Sequence, residues 1–390
     1  MKRRSRALAR SGAACVILAC AVAGCGASGS GNASAVISKG SVLTIFLSEP
    51  SDFGSNAVAQ DVVDAEQLAF RQQQHEVSRY QLQLVAVRGH FLSANARTAI
   101  EDGNAVAYLG ELAPGDSEQT VGITNADQLL QVSPTDTALE LGQVTRAVAG
   151  SPRHYFESWS SYGRTFGRVV PTSEQEAGAD VDQMLSQHLK SLYIADDGSD
   201  YGRSIALAVR TLAAKSSIQV TSTESGAAAI FYGAQAPAAG ARFFNDAAKA
   251  APSAHLFGSS SLDSPAFTSR IAASVRNLYI STPGVWPTAL NDAAKSFKTA
   301  FAAAYHHQPS GQAIFGYAAM SAVLRVLVQA GTAADNRAVI ARDFLRLRLA
   351  SSVLGPFTID HAGNTSFDGF VINRLRDGVL VPFEAAFVQR

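Results

Sequence analysis

The chain has 390 residues, 32 basic and 32 acidic side chains, 47% hydrophobic residues and three cysteines. That length can bury the cores of two domains, and the balanced charge leaves no basic stripe to neutralise phosphates, which argues against nucleic acid as a partner. Cys15, Cys20 and Cys25 all fall in the first 25 residues, so the remainder has no pair to oxidise and must be stable through core burial alone.

Lys2, Arg3, Arg4, Arg6 and Arg10 precede an apolar run over 13–23. At about a dozen residues the run is too short to cross a bilayer roughly 30 Å thick as a helix, and it reads as an export signal. Val22-Ala23-Gly24-Cys25 resembles the bacterial lipobox, in which the cysteine is lipidated and becomes the mature N-terminus. The resemblance implies a signal peptide over 1–24, a lipid anchor on Cys25, and a body at the extracytoplasmic face of the cell membrane. The plainer alternative is a signal peptide cut after a small residue, with Cys25 incidental. Residues 1–24 carry five basic and no acidic side chains, so processing leaves 27 basic against 32 acidic. The Gly/Ser-rich stretch 26–40 reads as a flexible tether, giving a lipidated linker over 25–40.

From residue 41 short apolar runs alternate with amphipathic ones. Strands are expected at 42–47, 82–87, 105–109 and 129–132, with helices at 57–73, 94–101 and 117–126 between them. The rhythm restarts with a helix at 177–189, a strand at 192–195, and a helix at 201–214 capped by Asp200. Strands at 218–221, 229–232 and 256–257 enclose a helix at 239–249. Helices at 291–305, 313–330 and 337–349 follow, then strands at 357–359, 369–373 and 379–383. Strands separated by helices imply right-handed βαβ units and parallel sheets. The fold class is therefore α/β, in two Rossmann-like lobes.

Enzyme signatures are scarce. The sequence has no His-Glu-x-x-His, no Gly-rich phosphate loop and no Gly-x-Ser-x-Gly elbow. Gly115-Asp116-Ser117 is reminiscent of GDSL-type ester hydrolases, but the Asp-x-x-His those need is replaced by adjacent Asp360-His361, so a turn and helix cap is favoured. His306-His307 reads as a solvated helix end, and 196–200 as a strand-to-helix turn too short for a calcium loop. No enzyme activity, cofactor or metal is expected. Small polar residues instead cluster in five loops at strand ends, 110–117, 133–137, 196–201, 232–237 and 258–262, where α/β sheets bind ligands.

Several motifs share one resemblance. Leu109-Gly110 with Ser133-Pro134 and Thr137, Phe166-Gly167-Arg168 with Pro171 and Gln175, Asp196-Asp197 with Asp200-Tyr201-Gly202, and Gly355-Pro356-Phe357 with Asp360, Gly363 and Asn364 follow one another in order. They resemble the branched-chain amino-acid (Leu/Ile/Val) binding proteins, solute receptors of ABC importers with the type I periplasmic-binding fold. The resemblance implies two lobes joined by a three-segment hinge, with crossings near Ser160, Pro283 and Gly363. Lobe 1 would then span 41–160 and 284–363, and lobe 2 161–283 and 364–390. The implied partners are a small polar solute and an ABC permease, with the protein a monomer. Carried over residue by residue, the resemblance puts Thr135 and Thr137 at the ligand carboxylate and Tyr201 on the opposite wall. Pro114, Gln235 and Ser260 stand where the family has a serine, a tyrosine and the acid that pairs with the ligand ammonium. Those departures point away from a standard branched-chain amino acid and towards a neutral amide, a carboxylate without an amino group, or a polyol. Glu111 and Asp263 are the acids that could substitute. The competing readings are a ligand sensor signalling to a membrane partner and, least favoured, a hydrolase built on Ser117.

Overall fold

Two sheets, each dominated by parallel strands, organise the chain, and the computed structural model describes residues 35–38, 40–73 and 76–387. Cys25 and the segment before it lie outside the described residues.

The first sheet is laid down by β1 (Val42–Ser48), α1 (Ala57–Gln72), β2 (Glu76–Val77), β3 (Tyr80–Val87), α2 (Leu92–Glu101), β4 (Ala105–Leu109), α3 (Val121–Ala126), β5 (Leu130–Ser133), α4 (Trp159–Tyr162) and β6 (Phe166–Arg168). Its order is β2-β3-β1-β4-β5-β6, parallel except for the β2–β3 hairpin. Every residue of β4 is buried, which is why its sequence is a continuous apolar run and not an alternating one. Asn56 caps α1 by accepting the Ala59 amide at 3.1 Å.

The second sheet receives α5 (Ser173–Ser186), β7 (Ser191–Asp196), α6 (Asp200–Lys215), β8 (Gln219–Thr221), β9 (Ala229–Gly233), α7 (Pro237–Ala250), β10 (His255–Gly258), α8 (Pro265–Thr268) and β11 (Leu278–Pro283). The chain then adds α9 (Asp292–Tyr305), α10 (Ala313–Ala330) and α11 (Arg337–Phe344) to the core of the first sheet, followed by the small hairpin β12 (Arg348–Leu349) and β13 (Phe357–Thr358). It returns to the second sheet as β14 (Gly369–Arg376) and β15 (Val379–Phe387), giving the order β15-β14-β11-β10-β9-β7-β8. α10 is the core helix of this sheet, with Phe315, Ala319, Val323 and Leu327 fully buried and Tyr317, Ser321 and Arg325 along its more exposed face. It lies so close to α1 that a Cβ on Gly316 would sit 2.2 Å from the Val62 carbonyl oxygen.

The two-sheet architecture is the one expected from the alternation of strands and helices. Several details differ. β6 pairs with β5, so the chain leaves the first sheet after Arg168 and not near Ser160. The expected helix over 117–126 is a short 3-10 turn at Asp116–Gln119 followed by α3. Ser199 and not Asp200 caps α6, its hydroxyl accepting the Gly202 amide at 2.9 Å, while Asp200 begins the helix and accepts a hydrogen bond from Tyr155 at 2.7 Å. In addition, α11 ends at Phe344, short of the expected 349, because Arg348 and Leu349 pair with Phe357 and Thr358.

Candidate functional site

The loops that follow β4 and β5 in the first sheet meet those that follow β9 and β10 in the second, at the carboxyl ends of the strands. Between them, and against the start of α1, lies a cavity of about 600 Å³. Asp197, at the end of β7, shapes one side by accepting the backbone amides of Gln235 at 2.8 Å and Ala236 at 3.2 Å. The two halves touch across the cleft: the Gln235 amide reaches Asp116 at 3.4 Å, and Tyr155 reaches Asp200.

Of the residues singled out from sequence, Pro114, Thr135, Gln235 and Ser260 line this cavity. Thr137 and Tyr201 do not; both have 0% exposure. Tyr201, on α6, is inserted among Val121, Ala138, Leu141, Phe156 and Phe166 of the first half, so its ring is a contact between the halves and not a wall of the cavity. Its phenol lies 3.4 Å from Glu176 and 3.3 Å from the Ser260 hydroxyl. The Thr137 carbonyl accepts the Ser173 amide at 2.7 Å, fixing the entry into α5.

The substitute acids separate cleanly. Asp263 lines the cavity and accepts from Thr282 at 3.2 Å; burial raises its pKa. Glu111 is fully buried and turned inward, accepting from Ser48 at 2.6 Å and Tyr108 at 2.5 Å, and burial pushes its carboxyl up to about 8. Ser117, the candidate hydrolase nucleophile, is fully buried, with its hydroxyl accepting the Glu111 amide at 3.1 Å.

Two residues that sequence reading passed over define the chemistry. Asp116 lines the cavity, and burial together with neighbouring Asp136 pushes its carboxyl up to about 7. Asp136 is fully buried beneath the loop, where its carboxylate accepts the amides of Gly115 at 2.8 Å, Ser117 at 2.9 Å and Ala138 at 3.0 Å. These are the loop amides that an anionic ligand group would need, and the protein's own carboxylate already occupies them. The second half repeats the device. Glu176, pushed up to about 7 by burial, accepts the Ser260 amide at 2.5 Å, the Ser260 hydroxyl at 2.9 Å and the Ser281 hydroxyl at 3.0 Å. Acids are thus present at the cavity after all, at Asp116 and Asp263. The loop amides suited to a carboxylate are the ones Asp136 has taken, which reverses the expectation drawn from Ser260 alone. Signals for this were available only as bare residues within loops 110–117 and 133–137.

No protein-family model matches the chain, and no curated protein matches it. Solved structures do. A leucine-binding protein from Thermotoga maritima is 19% identical with a TM-score of 0.70, covering 88% of this chain and 98% of that one. The branched-chain amino-acid transporter substrate-binding protein from Streptococcus pneumoniae, solved with isoleucine, is 17% identical with a TM-score of 0.64, covering 89% and 99%. A solute-binding protein of an ABC transporter from R. palustris, solved with benzoate, is 15% identical with a TM-score of 0.63, covering 89% and 96%. The chain has the type I periplasmic-binding fold over its whole described body. It is similar to solute-binding proteins that hold unlike ligands.

Proposed function

We propose that the protein is the solute-binding receptor of an ABC importer, anchored by lipid on Cys25 at the extracytoplasmic face of the cell membrane and closing its two halves over a small solute. The observation that carries this reading is the 600 Å³ cavity, built from strand-end loops of both sheets, where open α/β sheets bind their ligands. A solute touching both halves favours their closed arrangement, and contacts to one half alone bind weakly. Similarity to solute-binding proteins over nearly the full chain supports the assignment. The lipobox-like Val22-Ala23-Gly24-Cys25 supports its location.

The ligand is not a standard branched-chain α-amino acid. Asp136 takes the loop amides, Thr137 is buried, and Pro114 has no amide proton, so the α-carboxylate has no grip comparable to that implied by the resemblance. Uptake measurement tests the receptor reading. Cells lacking this chain are expected to lose high-affinity uptake of the solute the purified protein binds, and complementation should restore it. Unchanged uptake without the chain would refute the transport role.

A further inference from the structure

The charged groups around the cavity are all of one sign. Asp52 and Asp116 come from the first half and Asp263 from the second, while no Lys, Arg or His lines the cavity among the described residues. Hydroxyl donors are largely spent on the protein itself. Thr135 donates to the Leu112 carbonyl at 2.5 Å, Ser260 to Glu176 at 2.9 Å, Ser261 to the Ala234 carbonyl, and Ser55 to the Asp52 carbonyl at 3.0 Å. Acceptors are left over. The half-buried Asp116 has a single hydrogen-bond partner among the described residues, the Gln235 amide at a long 3.4 Å, and its second carboxylate oxygen has none. A half-buried acid with so few partners, facing a cavity, is placed to take a donor or a positive charge from a ligand. Val58, Val62, Leu112 and Pro114 supply an apolar stretch of wall, and Asn56, Gln235, Gln312, Ser264 and Ser269 add uncharged polar groups to the rest. A volume of about 600 Å³ lies within the roughly 300–1,000 Å³ usual for small-molecule sites.

Building on the receptor reading above, we propose that the solute is a small amphipathic amine without a carboxylate, its cationic nitrogen held by Asp116 and attracted by Asp263, its carbon body against the apolar wall. Asp116 and Asp263 belong to opposite halves, so the cation interacts with both and its binding favours closure. An added carboxylate on the ligand would meet negative charge and no free amide nest.

Calorimetry with the mature protein tests this directly. The probes are n-pentylamine, phenethylamine and tyramine, each set beside an alcohol and a carboxylate of matched carbon skeleton. At least one amine is expected to bind with one-to-one stoichiometry, its alcohol at least tenfold more weakly, and its carboxylate not measurably. Asp116→Asn is expected to weaken the amine at least tenfold, with the unliganded melting temperature unchanged or raised, and Asp263→Asn to weaken it less. An alcohol or carboxylate binding as tightly as its amine, no amine binding, or amine affinity untouched by Asp116→Asn would overturn the proposal. The receptor reading is decided separately with Ala113→Trp, which fills the cavity. Neutral or anionic solutes that bind the wild type and are lost in Ala113→Trp would leave the receptor standing and the amine refuted. If every solute that binds does so equally well to the filled variant, both readings fall.

Discussion

Gly115 sits where the first half meets the second, and a single methyl group there should separate binding from folding. Its φ of +88° lies in the left-handed region, which costs an L-residue about 1–2 kcal/mol. A Cβ at this position would lie 2.8 Å from the Gln235 side-chain nitrogen and 3.1 Å from the Tyr201 Cβ. The Gln235 amide can swing away. Tyr201 cannot, because its ring is locked among Val121, Ala138, Leu141, Phe156 and Phe166. Carbon atoms rest about 3.5–4.0 Å apart, so Gly115→Ala must push the second half back by several tenths of an ångström or shift the 110–117 loop. The backbone cost falls on the loop in either arrangement, whereas the clash with Tyr201 falls on the closed arrangement alone. We expect closure to lose about 1–3 kcal/mol, which weakens solute binding roughly 5- to 150-fold, since about 1.4 kcal/mol is a factor of ten. Neither core is touched, so the melting temperature of the unliganded protein should fall by only a few degrees. Calorimetry and thermal melting of wild type and Gly115→Ala give both quantities. Unchanged affinity in the variant would refute the claim that binding draws on this contact, and gross unfolding would refute the separation of the two effects.

Further expectations follow from other residues. Cys25→Ser should release the protein into the medium or leave it unprocessed; if the variant still partitions into detergent as a processed lipoprotein, the anchor lies elsewhere. Glu111 holds its proton to about pH 8 when folded, against the ordinary glutamate value of 4.5. The unfolded chain releases that proton first, so this group costs stability increasingly as pH rises from about 4.5 to about 8, at around 1.4 kcal/mol for each unit of separation. Glu111→Gln should therefore flatten the decline seen by denaturant titration across that window, and an identical pH slope in wild type and variant would contradict the assignment. Gly316→Ala drives a methyl group into the Val62 carbonyl and should destabilise the first half by about 3 kcal/mol or more. A loss below about 0.5 kcal/mol would show that α1 and α10 are not packed this closely.

Much of the fold was legible because burial writes itself into composition. β4 is a continuous apolar run and α10 is apolar apart from Ser321, Arg325 and Gln329, and their expected limits of 105–109 and 313–330 are those observed. β11 was missed although all six of its residues are buried, since Leu-Tyr-Ile-Ser-Thr-Pro mixes polar side chains into a central strand. Ser281 there is not a surface residue but a donor to Glu176 and Asp180. The candidate site was legible in place more than in chemistry. Loops at strand ends could be located from strand positions, and Pro114, Thr135, Gln235 and Ser260 do face the cavity. The inward turn of Tyr201 and Thr137 depends on how the two halves meet, which no local pattern records. The roles of Asp116 and Asp136 likewise depend on an amide nest assembled from loops about twenty residues apart.

The claim that two halves close over a solute is tested most directly by small-angle scattering of the mature protein with and without a saturating solute identified by calorimetry. The account predicts a smaller radius of gyration when the solute is bound, and a weaker response in Gly115→Ala at the same solute concentration. A radius unchanged at saturation, with binding independently confirmed, would contradict it.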